Sequence, residues 1–103
     1  MLPYVLLTAI QLAQPAAVPH LNAAPSCRAA SKLDPVDGQS FATCMQDENE
    51  ARDELAKKWG GYPGAARSRC SAEVTIGGDP SYVELLECLE MDKEASQANR
   101  GSR

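Results

Sequence analysis

Histidine occurs once in the 103 residues, as His20, and the chain holds one Trp, three Tyr and one Phe. With His20 inside a segment read below as a removable leader, the remaining chain has no partner for a Ser–His or Cys–His nucleophile pair, which speaks against a hydrolase. No Cys-x-x-Cys is present among the four cysteines, so neither thioredoxin-like exchange nor the close ligand pairs of a zinc site are expected. No calcium loop of the EF-hand kind occurs, and no cofactor or metal is expected. Apolar runs stay well short of the roughly 20 residues that cross a bilayer, so no stable membrane span is expected. A basic stripe is missing too: Lys and Arg number 10 against 14 Asp and Glu, for a net charge of −4. The seven acids from Glu73 to Glu94 would repel phosphate backbones, which excludes nucleic acid as a natural partner.

What is present begins with an apolar stretch, Leu2 to Ala13, LPYVLLTAIQLA, of the length of a signal-peptide core. Gln11, Gln14, Pro15 and Pro19 interrupt it, no basic residue precedes it, and Leu21-Asn22-Ala23 before Ala24 is an acceptable cleavage site. The expected organisation is a signal peptide over 1–23, one domain over 24–96 and a disordered tail over 97–103. That places the protein in the periplasm or outside the cell. Ala24-Pro25-Ser26-Cys27 invites comparison with an acylated lipoprotein start, but Ala24 stands where a Leu-like residue belongs.

Hydrophobic residues make up 44% of the chain, yet many are Ala, so the core must be thin. The periodicity is helical. Ser40 is a candidate cap, and Phe41, Cys44, Ala51, Leu55 and Trp59 form a stripe that Glu48 interrupts. The acids of this segment, Asp47, Glu48, Glu50, Asp53 and Glu54, alternate with Arg52, Lys57 and Lys58, the pattern of a solvated face with i,i+4 pairs rather than a cation site. Gly60-Gly61-Tyr62-Pro63-Gly64 must turn the chain, because Pro63 disfavours a helical Tyr62. A short helix around Cys70, over 65–72, is expected next, followed by an extended Val74-Thr75-Ile76. The last helix starts at Asp79 or Ser81 and presents Tyr82, Leu85, Leu86 and Leu89 on one face. Turn signals at Asp34-Pro35 and Asp37-Gly38 predict a bend before the first of these helices, after a short helical stretch from Cys27. The fold class expected is all-α: a small disulfide-stapled helical hairpin or three-helix domain.

Cys27, Cys44, Cys70 and Cys88 in an exported chain with so thin a core read as two disulfides. The sequential pairing, Cys27–Cys44 with Cys70–Cys88, is favoured because each pair brackets a turn at similar distances on both arms. The nested pairing, Cys44–Cys70 inside Cys27–Cys88, and the crossed one remain open on sequence. Trp59 and Tyr62 are candidates for a binding surface, with core packing as the commoner role for such residues.

The strings CMQDENEARDELAKKWGGYP, Arg69-Cys70 and GGDPSYVELLECLEM resemble small exported four-cysteine helical proteins of unknown function from alphaproteobacteria related to the rhizobia. The resemblance covers residues 40 to 92 and implies an exported helical domain without an assigned activity. Cys44, Trp59, Tyr62, Arg69 and Cys70 also resemble the spacing in LprI-type lysozyme inhibitors. The repeated asparagine-tyrosine signature of that family is missing after Asp53, where this chain reads ELAKKW, so no inhibitory residue carries over. The function expected is non-enzymatic binding of another macromolecule, an unknown protein or envelope component. Inhibition of a cell-wall hydrolase is its narrowest form, and a small envelope enzyme or a structural, stress-protective protein are the alternatives.

Overall fold

The computed structural model describes residues 17–33, 40–77 and 79–101. Among them lie four α-helices and no strand: α1 Ala24–Leu33, α2 Phe41–Lys58, α3 Gly64–Ile76 and α4 Tyr82–Gly101, with a short 3-10 turn, Trp59–Gly61, after α2. They form two crosslinked hairpins. Cys27 of α1 is bonded to Cys44 of α2, with Cα atoms 5.5 Å apart. Cys70 of α3 is bonded to Cys88 of α4 at 5.7 Å. The pairing is the sequential one.

Local chemistry sets the helix ends. Ser40 is extended and its hydroxyl oxygen accepts the Thr43 N–H at 3.1 Å, satisfying a donor that the first turn of α2 leaves without an intrahelical partner. Ser81 does the same for α4 by accepting the Glu84 N–H at 3.2 Å. Between α2 and α3, Tyr62 is held extended ahead of Pro63, at φ −85° and ψ 143°, as the proline ring requires.

α4 packs against both α2 and α3, while α1 packs against α2. Leu55, Leu85 and Leu89 are fully buried, surrounded by Ala51, Trp59, Tyr62, Ala66, Cys70, Val74 and Tyr82. The Arg67 guanidinium lies 5.8 Å from the centre of the Trp59 ring, within reach of a cation–π attraction. Cys27 is the buried residue of α1, so the disulfide itself is the main anchor of that helix.

Three expectations are corrected by this structure. Val74-Thr75-Ile76 is the last turn of α3, with the Thr75 hydroxyl donating to the Ser71 and Ala72 carbonyls. The β-branched preference against helix is only a few tenths of a kcal/mol per residue, about what packing Val74 against α4 overrides. Residues 97–101, expected in a disordered tail, continue α4. Phe41 sits on the predicted stripe but is 41% exposed at the start of α2. The stretch before α1, assigned to the leader, lies against the domain from Val18 to Ala23, with Leu21 and Ala23 buried. The bend expected at 34–38 and most of the leader lie outside the described residues.

Candidate interaction surface

Trp59 and Tyr62 do not form the exposed patch considered for them. They are 3% and 5% exposed and lie at the turn between α2 and α3, in the same buried cluster as Ala66. Their role is packing. All four cysteines are in disulfides.

The polar centre of the fold is one that the helical pattern treated as a defect. Glu48 is 4% exposed and points at the start of α4. Its carboxylate accepts the Ser81 hydroxyl and the Tyr82 N–H, each at 2.6 Å. A buried charge is costly unless hydrogen-bonded, and here it faces the positive end of the α4 dipole. A signal existed in the sequence: an acid on an otherwise apolar stripe, and a Ser-started helix elsewhere with N–H groups to satisfy. Spacing alone could not pair residues 48 and 81.

A second polar cluster ties α2, the turn and α4 together. Lys58 Nζ lies 2.8 Å from Glu54 and 3.1 Å from Glu90, and the Tyr62 hydroxyl donates to Glu90 at 3.1 Å. Burial, then the bond to Glu90, pushes the Tyr62 phenol from 10.0 up to about 12. The Lys58 ammonium holds the Glu90 carboxyl below its ordinary value, and Glu54 followed by Glu90 holds Lys58 above its own. The neutral Tyr62 phenol therefore stabilises the fold fully below pH 10.0 and loses that contribution as pH rises toward about 12. The ionised Glu90 contributes above 4.5 and loses its contribution as pH falls through its depressed value. The melting temperature is expected to hold across neutral pH and to fall at both extremes. Tyr62→Phe should remove part of the alkaline fall and the late-titrating phenolate absorbance; an unchanged absorbance titration would contradict the assignment.

The α3–α4 hairpin carries the surface that best fits a partner. A shallow groove of about 360 Å³ has Val74 and Cys88 as its floor, with exposed Met91 beside Glu73, Glu84 and Glu87 around it. Met91 is 68% exposed and Ile76, at the end of α3, is also exposed, while Val74 is buried beneath. The Glu73 carboxylate comes within 3.4 Å of Cys88 Sγ, so negative charge stands directly over the half-buried end of the disulfide. Arg69 pairs with Asp92 and with Glu73, so Glu84 and Glu87 carry the remaining acidic charge around the groove. Apolar floor and acidic rim make a seat for a segment that is apolar on one side and basic on the other.

No family model, curated protein or solved structure matches the chain. Among the described residues no helix is long and apolar enough to cross a membrane, and no group of three or more His, Cys, Asp or Glu is placed to hold a metal ion. A further groove, of about 380 Å³, lies between the segment before α1 and α2, where His20, Arg52 and Asp53 stand at its edge and Trp59 and Tyr82 contribute to its wall. The two disulfides are compatible with an oxidising compartment.

Proposed function

We propose that this chain is an exported, non-enzymatic binding protein of the periplasm or cell exterior, and that it recognises a basic macromolecule of the envelope through the α3–α4 hairpin. The observation that carries this reading is the groove lined by Val74, Cys88 and Met91 together with Glu73, Glu84 and Glu87. Between residues 73 and 94 the sequence has seven acids and a single base, Lys93, so the charge is concentrated on the element that holds the groove. Such a field speeds the encounter with a positively charged partner and fixes its orientation, while the apolar floor supplies contact area. A cell-wall hydrolase with a basic surface is one partner of this kind.

The test is a nuclear magnetic resonance titration of the oxidised protein with a lysine-rich amphipathic peptide. Shifts confined to Val74, Glu84, Glu87 and Met91, and weakened at least tenfold by the double variant Glu84→Lys/Glu87→Lys, support the reading. Equal binding by that variant, or shifts spread over the whole surface, refutes it. Unchanged activity of a basic lysozyme in a large excess of the protein would reject the hydrolase as partner and leave the basic-partner reading to the titration.

A further inference from the structure

The segment from Val18 to Ala23 precedes the first helix and was assigned by sequence to a leader ending at Ala23, yet it is built into the domain. Leu21 is 6% exposed and belongs to the same buried cluster as Leu55, Trp59, Tyr82 and Leu85. Its N–H donates to the Tyr82 hydroxyl at 2.8 Å in a buried bond linking positions 61 residues apart. Val18 packs against the cluster as well. The next residues start α1: the Ala23 carbonyl accepts the Cys27 N–H at 3.1 Å, and Asn22 Oδ1 accepts the Ala24 N–H at 3.3 Å.

We infer that Val18–Ala23 is a permanent N-terminal strap of the working protein, and that any leader is cut on the N-terminal side of Val18 rather than after Ala23. The inference rests on the export reading only for the cut itself. Cleavage after Ala23 would remove Leu21 from the core and strip the Tyr82 hydroxyl of its buried donor. It would also delete the carbonyl that receives the first hydrogen bond of α1 and the side chain that caps it. A new ammonium at Ala24 would then stand at the positive end of the helix dipole, where a positive charge is disfavoured. A cut before Val18 has none of these consequences. It also keeps His20, the chain's single histidine, beside Arg52 and Asp53 at the groove edge.

The experiment uses the full-length chain, expressed with its own N-terminus, and determines the first residue of the protein recovered from the periplasm by mass spectrometry. The thermal melts of wild type, Leu21→Asp and Tyr82→Phe are compared in the same samples. A first residue at or before Val18, with a melting temperature about 10 °C lower for Leu21→Asp, is the expected result. Tyr82→Phe should speed hydrogen exchange at the Leu21 amide about tenfold while leaving the leader sequence untouched. A protein that begins at Ala24 with both disulfides formed, and whose melt is unaffected by Leu21→Asp, overturns the strap and leaves export standing. Recovery of only unprocessed, reduced chain from the cytoplasm overturns the export reading and with it the cut. The strap is then decided by the same two variants after oxidative refolding of the full chain, where equal melts would reject it.

Discussion

Glu48→Ala is expected to lower the melting temperature by about 15 °C, the equivalent of roughly 3 kcal/mol in a domain of this size. The Ser81 hydroxyl and the Tyr82 N–H would both be left in a water-poor site without their acceptor, and each orphaned donor costs about 1–3 kcal/mol. The start of α4 would lose the negative charge facing its dipole at the same time. Glu48→Gln keeps the volume and one carbonyl acceptor, so its effect should be about half as large. Glu50→Ala, on the opposite, exposed side of α2, supplies the control and should change little. Equal melts for the variants at 48 and 50 would show that the buried knot carries no weight in the fold. Because the knot joins α2 to α4 across the two hairpins, its loss should loosen the hairpins from each other before it unravels either one.

The two disulfides are expected to differ in what their removal releases, although the loops they close are nearly equal, with sequence separations of 17 and 18. Chain entropy assigns each about 3 kcal/mol. In Cys27→Ala/Cys44→Ala, α1 loses its one buried side chain and should lose amide protection while α3 and α4 keep theirs. In Cys70→Ala/Cys88→Ala the bridge is taken from buried Cys70, which belongs to the same core cluster as Leu85 and Leu89, so protection should fall throughout and the melting temperature should drop further. Full reduction combines both losses, about 6 kcal/mol against a total stability that is of order 5–15 kcal/mol for a small domain. Helicity by circular dichroism should then be largely lost at 37 °C (about body temperature) in reductant. Helicity that survives reduction with the same melting temperature would mean that the thin core is sufficient by itself.

Much of this architecture was legible in the sequence because it follows from local rules. Ser40 and Ser81 marked helix starts through side-chain capping, Tyr62-Pro63 marked a break, and the similar spacing of the two cysteine pairs marked two hairpins. The extended reading of Val74-Thr75-Ile76 failed because a weak intrinsic preference competes with burial against α4, a neighbour that local pattern does not reveal. Trp59 and Tyr62 were ambiguous for the same reason: an aromatic after a helix can face in or out, and tertiary packing in the core cluster decides it. Glu48 looked like an interruption of a stripe until its partners, 33 and 34 residues away, supplied its hydrogen bonds. The strap was hidden most effectively. An apolar stretch with small residues satisfies the requirements of a leader and of a core-packing segment alike, and only the contact between Leu21 and Tyr82 separates the two.

The disulfide-stapled domain and its proposed export underlie the binding reading, and the intact mass of the protein from an envelope extract tests both directly. Masses taken before and after reduction and alkylation should show a processed chain in which no thiol is free until reductant is added. Peptide mapping should then link Cys27 to Cys44 and Cys70 to Cys88. A full-length chain with four alkylatable thiols, or peptides linking Cys44 to Cys70, would contradict the account.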